Sequence, residues 1–147
     1  ASCFCKAWEL RVNPEATPIS SSCCHCVTCR ALSGAPFLAS VMLTNLDTEL
    51  IAASQDTAPE LIEQKTSSHV SRLRCKACFS PLLARLGAKK VVVPLSMFAL
   101  GDIPTSWHPK HHIWYDQRAM NVLDGLSKYR THYGSQRVHD EGNDLLQ

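Results

Sequence analysis

The chain has 147 residues, 45% of them hydrophobic, and its 15 Lys and Arg against 13 Asp and Glu give a net charge of +2. That length suits one domain with a real core and makes disorder a poor description of most of it. Acids and bases are interspersed, so no field argues for nucleic acid or an anionic membrane, and no run of about 18 apolar residues spans a bilayer.

In chain order, the alternation from Cys3 to Val12 predicts a strand with one buried face. The opening Ala1-Ser2-Cys3-Phe4-Cys5 lacks a basic-then-apolar leader. Asn13-Pro14 starts a turn rich in Pro, Thr and Ser that runs to Ser22. Cys23 to Pro36 reads as a loop, followed by a buried strand from Phe37 to Leu43. Asp56 to Lys65 reads as a short helix or a polar excursion, and Val70 to Leu73 as a strand entering Cys75-Lys76-Ala77-Cys78. Val91 to Met97 is the clearest strand, and His112 to Tyr115 a short one. A domain over residues 1–133 is expected, with a polar tail over 134–147 that frays. The class is mainly β, with few short helices.

The eight cysteines are Cys3, Cys5, Cys23, Cys24, Cys26, Cys29, Cys75 and Cys78. Cysteines one or two residues apart sit badly for bridging each other, because a disulfide needs particular Cα separations and Cβ directions. The same spacings let a tight loop aim sulfurs at one ion, so zinc is the better reading. Two zinc ions per chain are expected. The pairs Cys3-x-Cys5 and Cys75-x-x-Cys78 together would close a four-thiolate site. Cys24, Cys26 and Cys29 offer three sulfurs and leave a fourth position open, the pattern of a catalytic zinc. Spacing alone leaves other pairings standing: Cys3 and Cys5 with Cys24 and Cys26, or Cys23 as a fourth ligand of the middle ion.

The motifs Cys3-x-Cys5, Cys24-His25-Cys26-x-x-Cys29-Arg30-x-x-x-Gly34-Ala35-Pro36-Phe37 and Cys75-x-x-Cys78-x-Ser80-Pro81-Leu82 carry a family likeness. A weaker match runs through His112-Ile113-Trp114-Tyr115 and Asp124-Gly125-Leu126. With these motifs the chain resembles the glutathione-dependent formaldehyde-activating enzyme family, which includes centromere protein V. The resemblance covers roughly residues 3–129. It implies an Mss4-like fold of small antiparallel sheets joined by zinc knuckles. It also implies a structural zinc on Cys3, Cys5, Cys75 and Cys78, and a catalytic zinc on Cys24, Cys26 and Cys29. The implied activity is that of a carbon–sulfur lyase or synthase, joining formaldehyde and glutathione as S-hydroxymethylglutathione. Lys6 and Phe79 stand where the family usually has Gly, which should alter turn geometry more than metal affinity. Met120-Asn121 occupies a region where relatives often carry a Trp, a difference that bears on the substrate.

Arg30 is a candidate contact for a glutathione carboxylate, since its planar fork suits that group, or a structural contact. Cys23 reads as a free thiol beside the site, with a fourth ligand or a redox thiol as the sharper alternatives. His25 lies between two ligands and should point away from the metal, at the surface or as a support behind the ligands. His108, His111 and His112 invite a third metal site or a proton shuttle on weak evidence, and Asp124-Gly125-Leu126 reads as a turn. The partners expected are a small thiol and a carbonyl compound, with no nucleic acid and no membrane. A reducing, cytoplasmic location follows from unpaired zinc-binding thiols. Two other functions compete: a zinc-scaffolded binding module of the centromere protein V kind, and a thiol redox enzyme using Cys23.

Overall fold

The computed structural model describes residues 1–54 and 58–143. Its first strands are β1 (Trp8–Val12), β2 (Ser20–Cys24), β3 (Leu38–Thr44), β4 (Thr48–Ala52), β5 (Leu61–Lys65) and β6 (Val70–Cys75). There follow β7 (Pro81–Leu86), β8 (Lys90–Pro94), β9 (His111–Ile113), β10 (Ser127–Tyr129) and β11 (Arg137–Val138). A single α-helix among the described residues, α1 (Val27–Ser33), lies between β2 and β3 in sequence. The class is mainly β, as the alternating patterns require. No described helix is long and apolar enough to cross a membrane.

The chain divides into two compact units, one formed by Ala1–Ser20 and Val41–Trp107, the other by Ser21–Ser40 and the chain from His108 onward. In the first unit β1 pairs antiparallel with β4, from Trp8 opposite Ala52 to Val12 opposite Thr48. Strands β5 to β8 follow one another as antiparallel neighbours. Leu10, Val41, Leu43, Leu82 and Val93 are fully buried there. Val41 and Leu43 lie two apart on β3, as do Val91 and Val93 on β8, so each pair faces one side of its strand. Burying such a side chain stabilises by about 1.5–3 kcal/mol. β5 keeps Glu63, Gln64 and Lys65 exposed, which suits the end strand of that run.

The second unit is built differently. Strand β9 pairs parallel with β2, with Ser22 opposite His111 and Cys24 opposite Ile113. It also pairs parallel with β10, which continues antiparallel to β11. The two parallel pairings of β9 are additions to the antiparallel sheets expected. Among the described residues Val138 is this unit's one buried aliphatic side chain; the remaining interior is Ser, Cys, His, Tyr115 and Lys128.

Five sequence expectations need correction. The strand read from Cys3 begins only at Trp8, because residues 3–6 form a turn in which the Lys6 N–H donates to the Cys3 carbonyl at 2.9 Å. The segment read as a loop from Cys23 holds the end of β2 and all of α1. The strand read through Met97 stops at Pro94 and passes into a 3₁₀ turn, Leu95–Met97. The tail does not fray over its described part: Arg137–Val138 pairs with β10, and the Asp140 carbonyl accepts from the Tyr115 hydroxyl at 2.6 Å. The element read over 56–65 proves to be β5 at its far end, and residues 55–57 lie outside the described residues.

Candidate metal centres

Two turns of different length bring four sulfurs together in the first unit. Cys3 and Cys5 come from the N-terminal turn, and Cys75 and Cys78 from the turn between β6 and β7. Their Sγ atoms all lie within 4.8 Å of one another. Cys3 Sγ to Cys5 Sγ is 3.5 Å and Cys5 Sγ to Cys75 Sγ is 3.7 Å. A disulfide requires about 2 Å. A tetrahedral zinc with Zn–S of about 2.3 Å places its sulfurs about 3.8 Å apart. The donor set fits that ion.

Backbone hydrogen bonds hold the two turns. The Cys3 N–H donates to the Trp8 carbonyl at 2.9 Å, and the Phe79 N–H to the Cys75 carbonyl at 2.9 Å. The Phe4 N–H donates to Ser80 Oγ at 3.0 Å, tying one turn to the other. Cys3 and Cys75 are buried against Leu82, with Trp8, Leu50 and Leu61 packed around them.

Each turn passes into a left-handed residue straight after its second cysteine, Lys6 at φ 60° and Phe79 at φ 58°. Glycine takes that conformation freely, whereas here ordinary L-residues carry the strain. That conformation costs a non-glycine residue about 1–2 kcal/mol. Part of it is lost again to glycine's larger unfolded entropy. Lys6→Gly and Phe79→Gly are therefore each expected to raise the unfolding free energy by about 1 kcal/mol. Thermal denaturation of the metal-loaded protein checks this, and the two gains should add.

Two of the thiols, those of Cys5 and Cys78, are pulled in opposite directions. Contact with the Ala7 backbone lowers that of Cys5, but the neighbouring Cys3 sulfur and others outweigh it and push it up to about 12. Burial would raise that of Cys78, but the Ser80 hydroxyl and the backbone at Cys5 and Ser80 pull it down to about 5. Without a cation, four sulfurs this close cannot all be thiolates, whereas a divalent ion reverses the balance.

The second cluster lies within the second unit. Cys24 ends β2, Cys26 caps α1, and Cys29 is buried within its first turn. Their three Sγ atoms also lie within 4.8 Å of one another. Cys26 Sγ accepts from the Cys29 N–H at 3.3 Å, so this sulfur occupies the capping position that Ser or Asp would usually fill. Gly34 closes the helix in the left-handed conformation at φ 64°, its N–H donating to the Arg30 carbonyl at 2.9 Å. The Val27 N–H donates to Gln117 Oε1 at 2.9 Å. Contact with the Cys26 and Cys29 sulfurs, and then burial, drive the Cys24 thiol far above its usual range. A divalent ion among the three sulfurs would reverse that balance.

The remaining candidates sort clearly. Arg30 donates through Nε to the His25 carbonyl at 3.1 Å and so braces the segment between two of the cysteines. His25 is fully buried, with Nε2 2.7 Å from His112 Nδ1, which excludes the surface alternative and leaves that of a support behind the ligands. His108, His111 and His112 do not converge. His108 is exposed, His111 lies against Tyr133 with ring centroids 4.4 Å apart, and His112 meets His25 and Asp124. Asp124 does form a turn, accepting from the Leu126 N–H at 3.1 Å. It also accepts from His112 Nε2 at 2.8 Å and from Lys128 Nζ at 2.6 Å, which the turn reading missed. Cys23 is buried on β2 opposite His112, and burial, then the Asp124 charge, push its thiol up to about 12. Met120 is exposed, and Asn121 Oδ1 accepts from Arg118 Nε at 2.8 Å. An open cavity of about 890 Å³ near Arg11, Met97 and Trp107 contains none of the eight cysteines and is not part of either cluster.

The family model described as glutathione-dependent formaldehyde-activating enzyme matches residues 1–117, which include both cysteine clusters. The chain is similar in fold to a crystal structure of a Rhodobacter sphaeroides protein. That match has a TM-score of 0.53 at 14% identity, and covers 71% of this chain and 89% of the other. No curated protein matches the chain in sequence.

Proposed function

The chain belongs to the glutathione-dependent formaldehyde-activating enzyme family, and from that premise we propose that it is a zinc-dependent enzyme making or breaking a carbon–sulfur bond. Its substrates are a glutathione-type thiol and a small carbonyl compound. The observation that carries this reading is the asymmetry of the clusters, four converging sulfurs in one and three in the other. Cys3, Cys5, Cys75 and Cys78 hold a structural zinc, and Cys24, Cys26 and Cys29 hold the catalytic one. A zinc held by these three thiolates would leave a position for substrate and, as a muted Lewis acid, would favour the deprotonated form of a thiol near neutral pH.

The protein's own part is to hold and orient. Cys26 presents its sulfur from the helix cap, Cys24 from a strand end and Cys29 from the helix itself, so one strand and one helix set the site. Arg30 has its Nε engaged by the His25 carbonyl, and its Nη atoms are the candidate contact for a glutathione carboxylate. In the synthetic direction the thiol sulfur bonds to the carbonyl carbon, the C=O π bond breaks, and the thiol proton ends on oxygen. Bringing two small reactants together supplies much of the rate. Eight unbridged cysteines suit a reducing, cytoplasmic setting.

The redox alternative needs a reactive Cys23, and the buried, raised thiol there is a poor nucleophile. The test is the exchange of ¹³C-formaldehyde between its hydrate and the glutathione adduct, followed by magnetisation transfer. The zinc-loaded protein is expected to accelerate it, and Cys23→Ser to leave the rate within about twofold. Loss of the rate in Cys23→Ser with zinc content unchanged would return the case to the redox reading.

A further inference from the structure

A line of polar groups, three of them buried, crosses the second unit and ends between two of the three cysteines. Lys128 Nζ lies 2.8 Å from Asp140 Oδ1 and 2.6 Å from Asp124 Oδ1. Asp124 Oδ2 is 2.8 Å from His112 Nε2, and His112 Nδ1 is 2.7 Å from His25 Nε2. His25, His112 and Lys128 are each almost wholly removed from solvent. Imidazoles and an ammonium replace the aliphatic core this unit lacks, so each must find its partner to remain inside.

The chemistry of the Lys128 end fixes the first protons of the line. An ammonium only donates, and a carboxylate only accepts. Asp124, accepting from Lys128, therefore takes the proton of His112 Nε2. When His112 carries that proton alone, its Nδ1 is an acceptor, and the contact with His25 is made by a proton on His25 Nε2. His25 is held at two more points: its N–H donates to the Ile113 carbonyl at 3.0 Å, and its own carbonyl accepts from Arg30 Nε at 3.1 Å. Nδ1, its remaining polar atom, is buried without a partner among the described residues.

We infer that Asp124 and His112 are positioning residues for the three-cysteine site: they lock His25 in its Nε2–H tautomer and so fix the backbone that sets Cys24 and Cys26 on either side of it. A residue pinned at its N–H, its carbonyl and its ring leaves the flanking sulfurs little freedom, and preorganised ligands bind metal more tightly. The effect on metal rests on the reading of that cluster as a zinc site; the tautomer does not.

The experiment is a long-range ¹H–¹⁵N spectrum of the zinc-loaded protein at pH 8, above the range in which an imidazole is ordinarily protonated. It is paired with chelator competition for each zinc. The wild type should show Nε2–H on both His25 and His112. Asp124→Asn offers an amide that can donate to His112 and run the line backwards, so His25 should shift toward Nδ1–H. The three-cysteine site of that variant should lose roughly tenfold or more in zinc affinity while the four-cysteine site is unchanged. An Nδ1–H tautomer on His25 in the wild type would overturn the inference, and that spectrum decides even if the variant does not fold. An Asp124→Asn protein with wild-type tautomers and a zinc affinity within about twofold would overturn it too. A wild type that takes up no zinc at Cys24, Cys26 and Cys29, yet shows the expected tautomers, would sink the metal reading alone.

Discussion

Cys75→Ser is expected to leave the first unit without a stable fold. Cys75 is fully buried between Cys3 and Leu82, and its sulfur is 3.7 Å from that of Cys5. It is also the last residue of β6, facing Leu61 on β5, so the loss would spread from the turn into the sheet. A structural zinc contributes about 10–16 kcal/mol of apparent binding energy at neutral pH. A domain of this size has only about 5–15 kcal/mol of net stability. Serine removes one thiolate of four and buries a hydroxyl in its place, so the remaining sulfurs have no adequate partner. Thermal denaturation should show the cooperative transition abolished, with zinc at this cluster gone. A variant that melts within a few degrees of the wild type would show that the four sulfurs are packing groups rather than ligands.

Cys26→Ser is expected to do the opposite: keep the fold and lose the chemistry. Cys26 is only half-buried, and its sulfur accepts the Cys29 N–H that caps α1. Serine is among the best residues at that position, so the helix should survive the exchange. What it cannot replace is a soft thiolate in a three-sulfur set. Zinc content should fall from two per chain toward one. Loss of a residue that merely supports a metal ligand already costs 10–100-fold, so removing a ligand should lower turnover by roughly a hundredfold or more. Full turnover with one zinc per chain would place the chemistry elsewhere.

What the sequence made legible were the contacts encoded in short spacings. Cys3-x-Cys5 and Cys75-x-x-Cys78 each announce a turn with two sulfurs on it, and the mostly apolar run from Phe37 to Leu43 announces β3. Even here the C-x-C segment proved to be turn rather than strand, because a left-handed Lys6 interrupts the alternation that hydropathy suggested. Helix α1 was hidden for a related reason. Its first residues, Val27 and Thr28, are β-branched and poor helix formers, and seven residues are too few to hold a helix alone. A cysteine at the cap, Gly34 at the far end and Gln117 on the Val27 N–H stabilise it instead. The spacing of three between Cys26 and Cys29 was its one local signal.

The polar interior of the second unit left almost no trace. His25 and His112 meet across 87 residues, and no periodicity connects them. His112 followed His111 on a strand, which sends the two rings to opposite faces, so a cluster of neighbouring histidines was the wrong picture. The tail's docking was equally silent in its polar composition, since what holds it is Val138 in β11 and the Asp140 contacts to Tyr115 and Lys128.

The most direct measurement is calorimetric binding of glutathione to the zinc-loaded protein, beside Cys26→Ser of measured zinc content. The account predicts one glutathione site per wild-type chain, and its loss together with one zinc in the variant. Wild-type protein with two zincs and no affinity for glutathione or related thiols would contradict it, as would a variant that binds glutathione unchanged.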